Sequence, residues 1–215
     1  MSRPPNTRRV AAKVFAELRE RRWLLQADAT LPSVASLVAN EPVHGSWWAH
    51  PKSNLVYWVL QELEDSPDVL CVKLVKGKLT LLHRALWPEL VAVGSAAERW
   101  QTAGLSAPAR ALLGRTEKQE TLRLDRLERW TAAAKPGDAA RELEGRLLVH
   151  ADEVHTESGK HAKLLESWSH LRARLALGAL PEPSAARRAL EVAIPGERLL
   201  PWTRSGVTWA RPHFR

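Results

Sequence analysis

The sequence predicts a mainly α-helical protein that also contains a small β-hairpin. Apolar residues recur at helical spacing through most of the 215-residue chain, whereas residues 69–83 form two short runs rich in leucine and β-branched residues. Lys76-Gly77 separates these runs, and glycine allows the positive φ that a tight hairpin turn needs. With 45% hydrophobic and 26% charged residues, the composition is that of a globular protein with a real core. We therefore expect an N-terminal unit over residues 1–95, packed on a helical second half over residues 96–215.

Three helices are predicted before the hairpin. Apolar side chains recur on one stripe of residues 7–25, and Thr7 is a suitable N-cap. Residues 32–40 form a shorter helix that opens with a proline in its first turn, where the missing N–H costs little. The third helix, residues 52–64, begins after Pro51. Its apolar stripe contains Leu55, Val56, Val59, Leu60 and Leu63.

The chain after the hairpin is predicted to be helical. Helices are expected over residues 86–97, over residues 106–130 and from residue 138 onward, because apolar positions keep a helical spacing there. The segment Lys135-Pro136-Gly137 separates the last two of these predicted helices. A short helix over residues 185–192 precedes an irregular C-terminal tail.

The order helix, helix, helix, hairpin in residues 7–83 resembles that of winged-helix domains, most of which bind nucleic acid. The resemblance implies that the third helix is presented to a DNA groove, where short polar side chains near its N-terminus can reach base edges. The hairpin would be the wing, and lysines at or near its tip would contact phosphates. The candidate residues of these two elements are Lys52, Ser53, Asn54, Lys73, Lys76 and Lys78.

Charge and aromatic residues favour the same class of partner. The net charge is +8, and the first 22 residues carry seven basic side chains, Arg8 and Arg9 among them, against two acidic ones. Such an excess favours a polyanionic partner. Trp47 and Trp48 are adjacent in a loop, so they cannot both enter one core easily. An exposed tryptophan at this place could stack on a base.

A second group of residues could carry chemistry. If residues 138–170 form one helix, Glu157 and His161 lie on a stripe that is apolar at both ends, and polar groups there are costly unless they are paired or used. Glu157 with His155 or His161 could activate water as a general base, or the same residues could form a buried hydrogen-bond network. Neither Cys-x-x-Cys nor His-Glu-x-x-His spacing supports a metal site, and no cofactor is predicted.

The leading interpretation is therefore a DNA-binding protein. One alternative is a DNA-processing enzyme, a base-excising glycosylase or a hydrolase, that uses the Glu/His group. Another is a structural or protein-interaction module. The single cysteine, Cys71, excludes an internal disulfide and predicts a reducing, cytoplasmic setting, and the overall composition is typical of a bacterial protein. No apolar run approaches the roughly 18 residues of a membrane span, so no membrane partner is expected. The sequence leaves the oligomeric state open.

Overall fold

The protein divides into two compact units, Met1–Trp87 and Pro88–Arg215. The structure, a computed structural model, describes residues 2–128, 130, 135–155 and 161–203. The division falls at the start of a helix that the sequence had assigned to the first unit, since the predicted boundary lay after residue 95. Among the described helices, none has the length and apolar character needed to cross a bilayer.

The first unit consists of three helices and one small antiparallel sheet. The strand order of the sheet is β1-β3-β2. The predicted helices and the hairpin are confirmed, but the first helix stops at Arg21 and the next residues form an unpredicted strand. In chain order the elements are α1 (Thr7–Arg21), β1 (Trp23–Leu25), α2 (Val34–Ala39), α3 (Ser53–Glu64), β2 (Val69–Lys73) and β3 (Leu79–His83).

The core of the first unit forms where the apolar stripes of α1 and α3 meet the sheet. Leu18 of α1, Val56 and Val59 of α3 and Leu81 of β3 are fully buried in one cluster. Burial of such side chains is the main force that holds these short elements together, at about 1.5–3 kcal/mol per side chain. The helices are too short to be stable alone, so their stability comes from this packing.

The hairpin turn lies at the predicted Lys76-Gly77 pair. Lys76 has φ 54° and Gly77 has φ 69°, and the Lys78 backbone N–H donates to the Val75 carbonyl at 2.9 Å. Two central residues with positive φ are typical of the type I′ turn, whose twist suits a hairpin. The strands themselves end at Lys73 and begin again at Leu79, so the tip is longer than the two-residue connection that the sequence predicted.

The second unit combines helices with a second antiparallel sheet. The strand order of this sheet is β4-β6-β5, and one face of it covers a core of apolar residues from two helices. In chain order the elements are α4 (Trp87–Ser95), α5 (Arg99–Thr102), α6 (Ala107–Gln119), β4 (Thr121–Arg123), α7 (Pro136–Gly145), β5 (His150–His155), β6 (His161–Glu166), α8 (Trp168–Arg174) and α9 (Pro183–Ala193).

The sequence prediction of one helix over residues 138–170 is wrong. Helix α7 ends at Gly145, and Leu147, at φ 51°, turns the chain out of the helical path. Strands β5 and β6 then pair over six register positions, from His150 opposite Glu166 to His155 opposite His161. The stripe needed one continuous helix, whereas residues 150–155 and 161–166 are strands; Glu157 lies outside the described residues. The second half is mixed rather than purely helical, because β4 also interrupts the helix predicted over residues 106–130.

Candidate nucleic-acid interface

The N-terminus of α3 lies beside the C-terminus of α2. The Lys52 ammonium donates a hydrogen bond to the Ala39 carbonyl, 2.7 Å away, at the last turn of α2. A cation is favourable at this end of a helix, where carbonyl groups point outward. The Lys52 side chain stays exposed, and Ser53, the first residue of α3, is partly buried. Both predicted residues thus lie at the surface where α3 begins.

The outward line of α3 is covered by the N-terminal segment of the chain itself. Asn54, Trp58 and Glu62 follow one another at four-residue spacing along this line. The Asn54 amide donates to the Ser2 carbonyl at 3.0 Å, while the Arg3 guanidinium lies 5.9 Å from the centre of the Trp58 ring and pairs with Glu62. We call residues 2–5 the N-terminal arm. The sequence did not predict this contact. We call the neighbouring line of Ser53, Tyr57 and Gln61, whose side chains are half-buried, the flank of α3.

Trp47 lies in the core and Trp48 at the surface, which agrees with the expectation that both could not easily be buried. The expectation that Trp47 also contacts nucleic acid is wrong, because its ring is buried. The Trp47 side chain is 7% exposed and belongs to the core of the first unit, whereas Trp48 is 55% exposed. The two rings stack at a centroid distance of 4.0 Å with 25° between their planes. The ring centroid of Tyr57 in α3 lies 5.8 Å from that of Trp48, so the two tryptophans border the flank of that helix.

The loop that carries the tryptophans is anchored on its C-terminal side. Trp47–Ala49 form one 3-10 turn, closed by a hydrogen bond from the His50 backbone N–H to the Trp47 carbonyl at 3.1 Å. The two ring nitrogens of His50 are also engaged: Nε2 lies 3.0 Å from a Glu41 carboxylate oxygen and Nδ1 accepts from the Lys52 backbone N–H. These bonds restrict the backbone of the loop between α2 and α3.

The three lysines of the hairpin have different surroundings. Lys73 is partly buried, and the Lys78 ammonium lies 2.7 Å from a carboxylate oxygen of Asp28. Lys76 at the turn is exposed, and it makes no ion pair or hydrogen bond with any residue that the structure describes. Lys76 therefore presents its charge at the tip of the hairpin without a partner in the described part of the chain.

Asp28 connects the turn before α2 to the hairpin. Burial raises the pKa of Asp28, but the Lys78 ammonium and the backbone N–H groups of Thr30 and Leu31 outweigh this and hold it well below the ordinary value. The carboxylate accepts both backbone bonds within 2.9 Å, and its own carbonyl accepts from the Ser36 hydroxyl. Lys78 is thus part of the framework that supports the hairpin.

Arg8 and Arg9 extend the basic surface of the first unit. Both side chains are exposed in the first turn of α1, and within the described parts of the chain neither forms an ion pair. Cations at a helix N-terminus are disfavoured by the helix dipole, typically by about 0.3–1 kcal/mol. A bound anion such as a phosphate would remove that penalty.

The predicted catalytic residues are not brought together by the described part of the structure. Glu157 lies outside the described residues, and so does the side chain of His155. His161 begins β6 with an exposed ring, and its Nδ1 lies 3.7 Å from a carboxylate oxygen of the equally exposed Glu153. The general-base role of these residues stays a prediction.

A different Glu/His cluster is buried in the second unit. Glu166, the last residue of β6, is 6% exposed, and the Arg174 guanidinium donates to its two oxygens at 2.8 Å each. His150, directly opposite on β5, places its Nδ1 3.2 Å from a carboxylate oxygen of Glu166. The Nε2 of His170 lies 3.7 Å from the other Glu166 oxygen, and its Nδ1 lies 3.3 Å from a carboxylate oxygen of Glu120. No periodic pattern could have predicted this cluster, because its members come from two paired strands and a following helix.

The buried cluster is suited to stability rather than to proton transfer. Burial raises the pKa of Glu166, but the bonds from Arg174 and His150 outweigh it and lower the pKa from 4.5 to about 2. A carboxylate with so low a pKa is a weak base at neutral pH. Its bidentate bond to Arg174 fixes α8 against the sheet.

No metal centre is found among the residues that the structure describes, where no three His, Cys, Asp or Glu side chains are grouped to hold an ion. Comparison of the chain with protein-family models, with curated proteins and with solved structures found no match.

Proposed function

We propose that the protein binds DNA and that its first unit does so as a winged-helix domain. The observation that carries the proposal is the topology of residues 7–83. The elements follow the order α1-β1-α2-α3-β2-β3, and β1 pairs with β3 to give the sheet order β1-β3-β2. This order resembles that of winged-helix domains and supports the proposal, in which α3 would be the recognition helix and the β2–β3 hairpin the wing.

The cations of the first unit support a phosphate-binding role. Lys76 extends from the tip of the wing without a partner among the described residues, and Lys52 lies where α3 begins. Arg8 and Arg9 add two exposed charges on α1. Each cation that neutralises a phosphate releases condensed counterions, which strengthens binding at low salt. Because the N-terminal arm covers the outward line of α3, base contacts would come from the flank that begins at Ser53.

The wing provides the test of this proposal. Affinity for a short fluorescein-labelled DNA duplex is measured by fluorescence anisotropy at several salt concentrations, for the unchanged protein and for Lys76→Ala. Loss of one phosphate contact should reduce the slope of log affinity against log salt by about 0.9. Lys118→Ala is the matched control, because Lys118 is an exposed lysine on α6 of the second unit without a partner among the described residues. Its slope should equal that of the unchanged protein.

Lys78→Ala separates a direct contact from a structural one. Since the Lys78 ammonium pairs with the buried Asp28, its removal should lower the melting temperature and change the salt slope less than Lys76→Ala does. Equal slopes for Lys76→Ala, Lys118→Ala and the unchanged protein would remove the wing from the interface. Absence of duplex binding at low salt would refute the proposed function itself.

A further inference from the structure

The exposed indole of Trp48 is held against a buried ring beneath it. Trp47 covers one face of Trp48, with the ring centroids 4.0 Å apart, yet Trp48 remains 55% exposed. The accessible surface must therefore lie on the remaining face and edges of the ring. Isolated large apolar residues occur on many protein surfaces, but a stacked pair with one member in the core presents a flat aromatic surface in a defined orientation.

We propose that Trp48 is a stacking platform for an unpaired nucleobase, so that the protein also binds single-stranded or locally opened DNA. This inference rests on the proposed function, and it extends that function from the duplex to the exposed bases of a strand. Proteins that bind single strands combine aromatic side chains, on which bases stack, with cations that follow the backbone. Here the platform borders α3 through Tyr57, and the ammonium of Lys52 lies at the N-terminus of the same helix.

The platform is restrained before any ligand binds. Trp47 is fixed in the core, and His50 fixes the backbone after the 3-10 turn through Glu41 and the Lys52 N–H. A base that stacks on Trp48 would therefore immobilise little that is not already ordered, and this reduces the entropic cost of binding. The net charge of +8 favours a polyanionic strand as the partner, and the exposed ring of Trp48 offers a surface on which a base of that strand can stack.

The experiment compares the binding of a DNA strand that has bases with that of a strand that has only the sugar-phosphate backbone. Affinities of the full chain and its variants are measured for oligothymidylate and for an abasic strand of equal length, which carries the same phosphates but no bases. The variants are Trp48→Ala, Trp48→Phe, which keeps a ring over Trp47, and the control Trp202→Ala. Trp202 is a partly exposed indole of the second unit that bonds to Glu191. A DNA duplex is titrated in parallel.

Trp48→Ala should weaken oligothymidylate binding by roughly 5- to 100-fold, within the range that base–aromatic stacking contributes, and should leave abasic-strand binding unchanged. Trp48→Phe should recover most of the loss, and Trp202→Ala should cause none. Equal weakening for both strands, or equal effects of Trp48→Ala and Trp202→Ala, would overturn the platform. Duplex binding without any oligothymidylate binding would overturn the platform alone, whereas absence of binding to every ligand would overturn the proposed function with it.

Discussion

Replacing Glu166 with glutamine should destabilise the second unit by about 3 kcal/mol at neutral pH. Lowering the pKa of this carboxyl from 4.5 to about 2 corresponds to a folding free energy of that size. Removing one member of a buried ion pair typically costs about 3–5 kcal/mol. The lower end applies here, because the Arg174 side chain is half exposed and can regain water, while His150 stays buried.

The destabilisation should also depend on pH in a defined direction. Because folding lowers the pKa of Glu166, the ionised carboxylate stabilises the protein above pH 4.5, and this contribution is lost as the pH falls towards 2. The difference in unfolding free energy between the unchanged protein and Glu166→Gln should therefore shrink by about 2 kcal/mol from pH 7 to pH 3.

Urea denaturation at the two pH values measures this difference, and amide hydrogen exchange in β5 and β6 locates it. Glu153→Gln is the matched control on the same strand pair, since the Glu153 side chain is 65% exposed, and it should change the unfolding free energy by less than about 0.5 kcal/mol. A difference for Glu166→Gln that stays constant between pH 7 and pH 3 would refute the reasoning, as would equal effects of the two substitutions.

Two further substitution pairs test the packing by thermal and urea denaturation. Gly94→Ala should cost about 1–3 kcal/mol, because the added methyl group overlaps the Trp168 indole, whereas Gly114→Ala has open space in helix α6 and should stabilise by about 0.5–1 kcal/mol. Trp47→Ala should lower the free energy of unfolding by about 3–5 kcal/mol, because it removes a core side chain. Trp48→Ala should lower it by about 0.5–1.5 kcal/mol, because only one aromatic pair is lost. A reversed order within either pair would contradict the packing described here.

The helices of the first unit could be predicted because their signals are local. In α3 the buried residues Val56, Val59, Leu60 and Leu63 follow helical spacing, and in α1 Val14 and Leu18 do the same. The Lys76-Gly77 turn was equally visible, because glycine is one of the few residues that favour positive φ. Strand β1 escaped prediction, since its three residues are all buried and show no alternation.

The second unit shows how a helical pattern can mislead. Leu143, Leu147, His150 and Leu165 stand at helical spacing, yet only the first of them lies in a helix. Strand β5 forms its backbone hydrogen bonds with β6. Strand β6 also pairs with β4, which lies some forty residues earlier in the chain. A periodicity search within one segment cannot detect such partners.

For the candidate functional residues, the order of residues was enough to predict which residue types are present and on which surface they lie. It indicated lysines at a hairpin tip and adjacent tryptophans in a loop, which could not both be buried easily. Only the packed structure shows that Trp48 is the exposed ring, that Lys78 pairs with Asp28 and that the N-terminal arm covers α3. It also brought His150, Glu166 and Arg174 together. Helical periodicity and turn conformation depend on neighbours along the chain and can be recognised from them. Strand pairing and ion pairs depend on which distant residues meet when the core closes, and that is decided only by the packing of the whole unit.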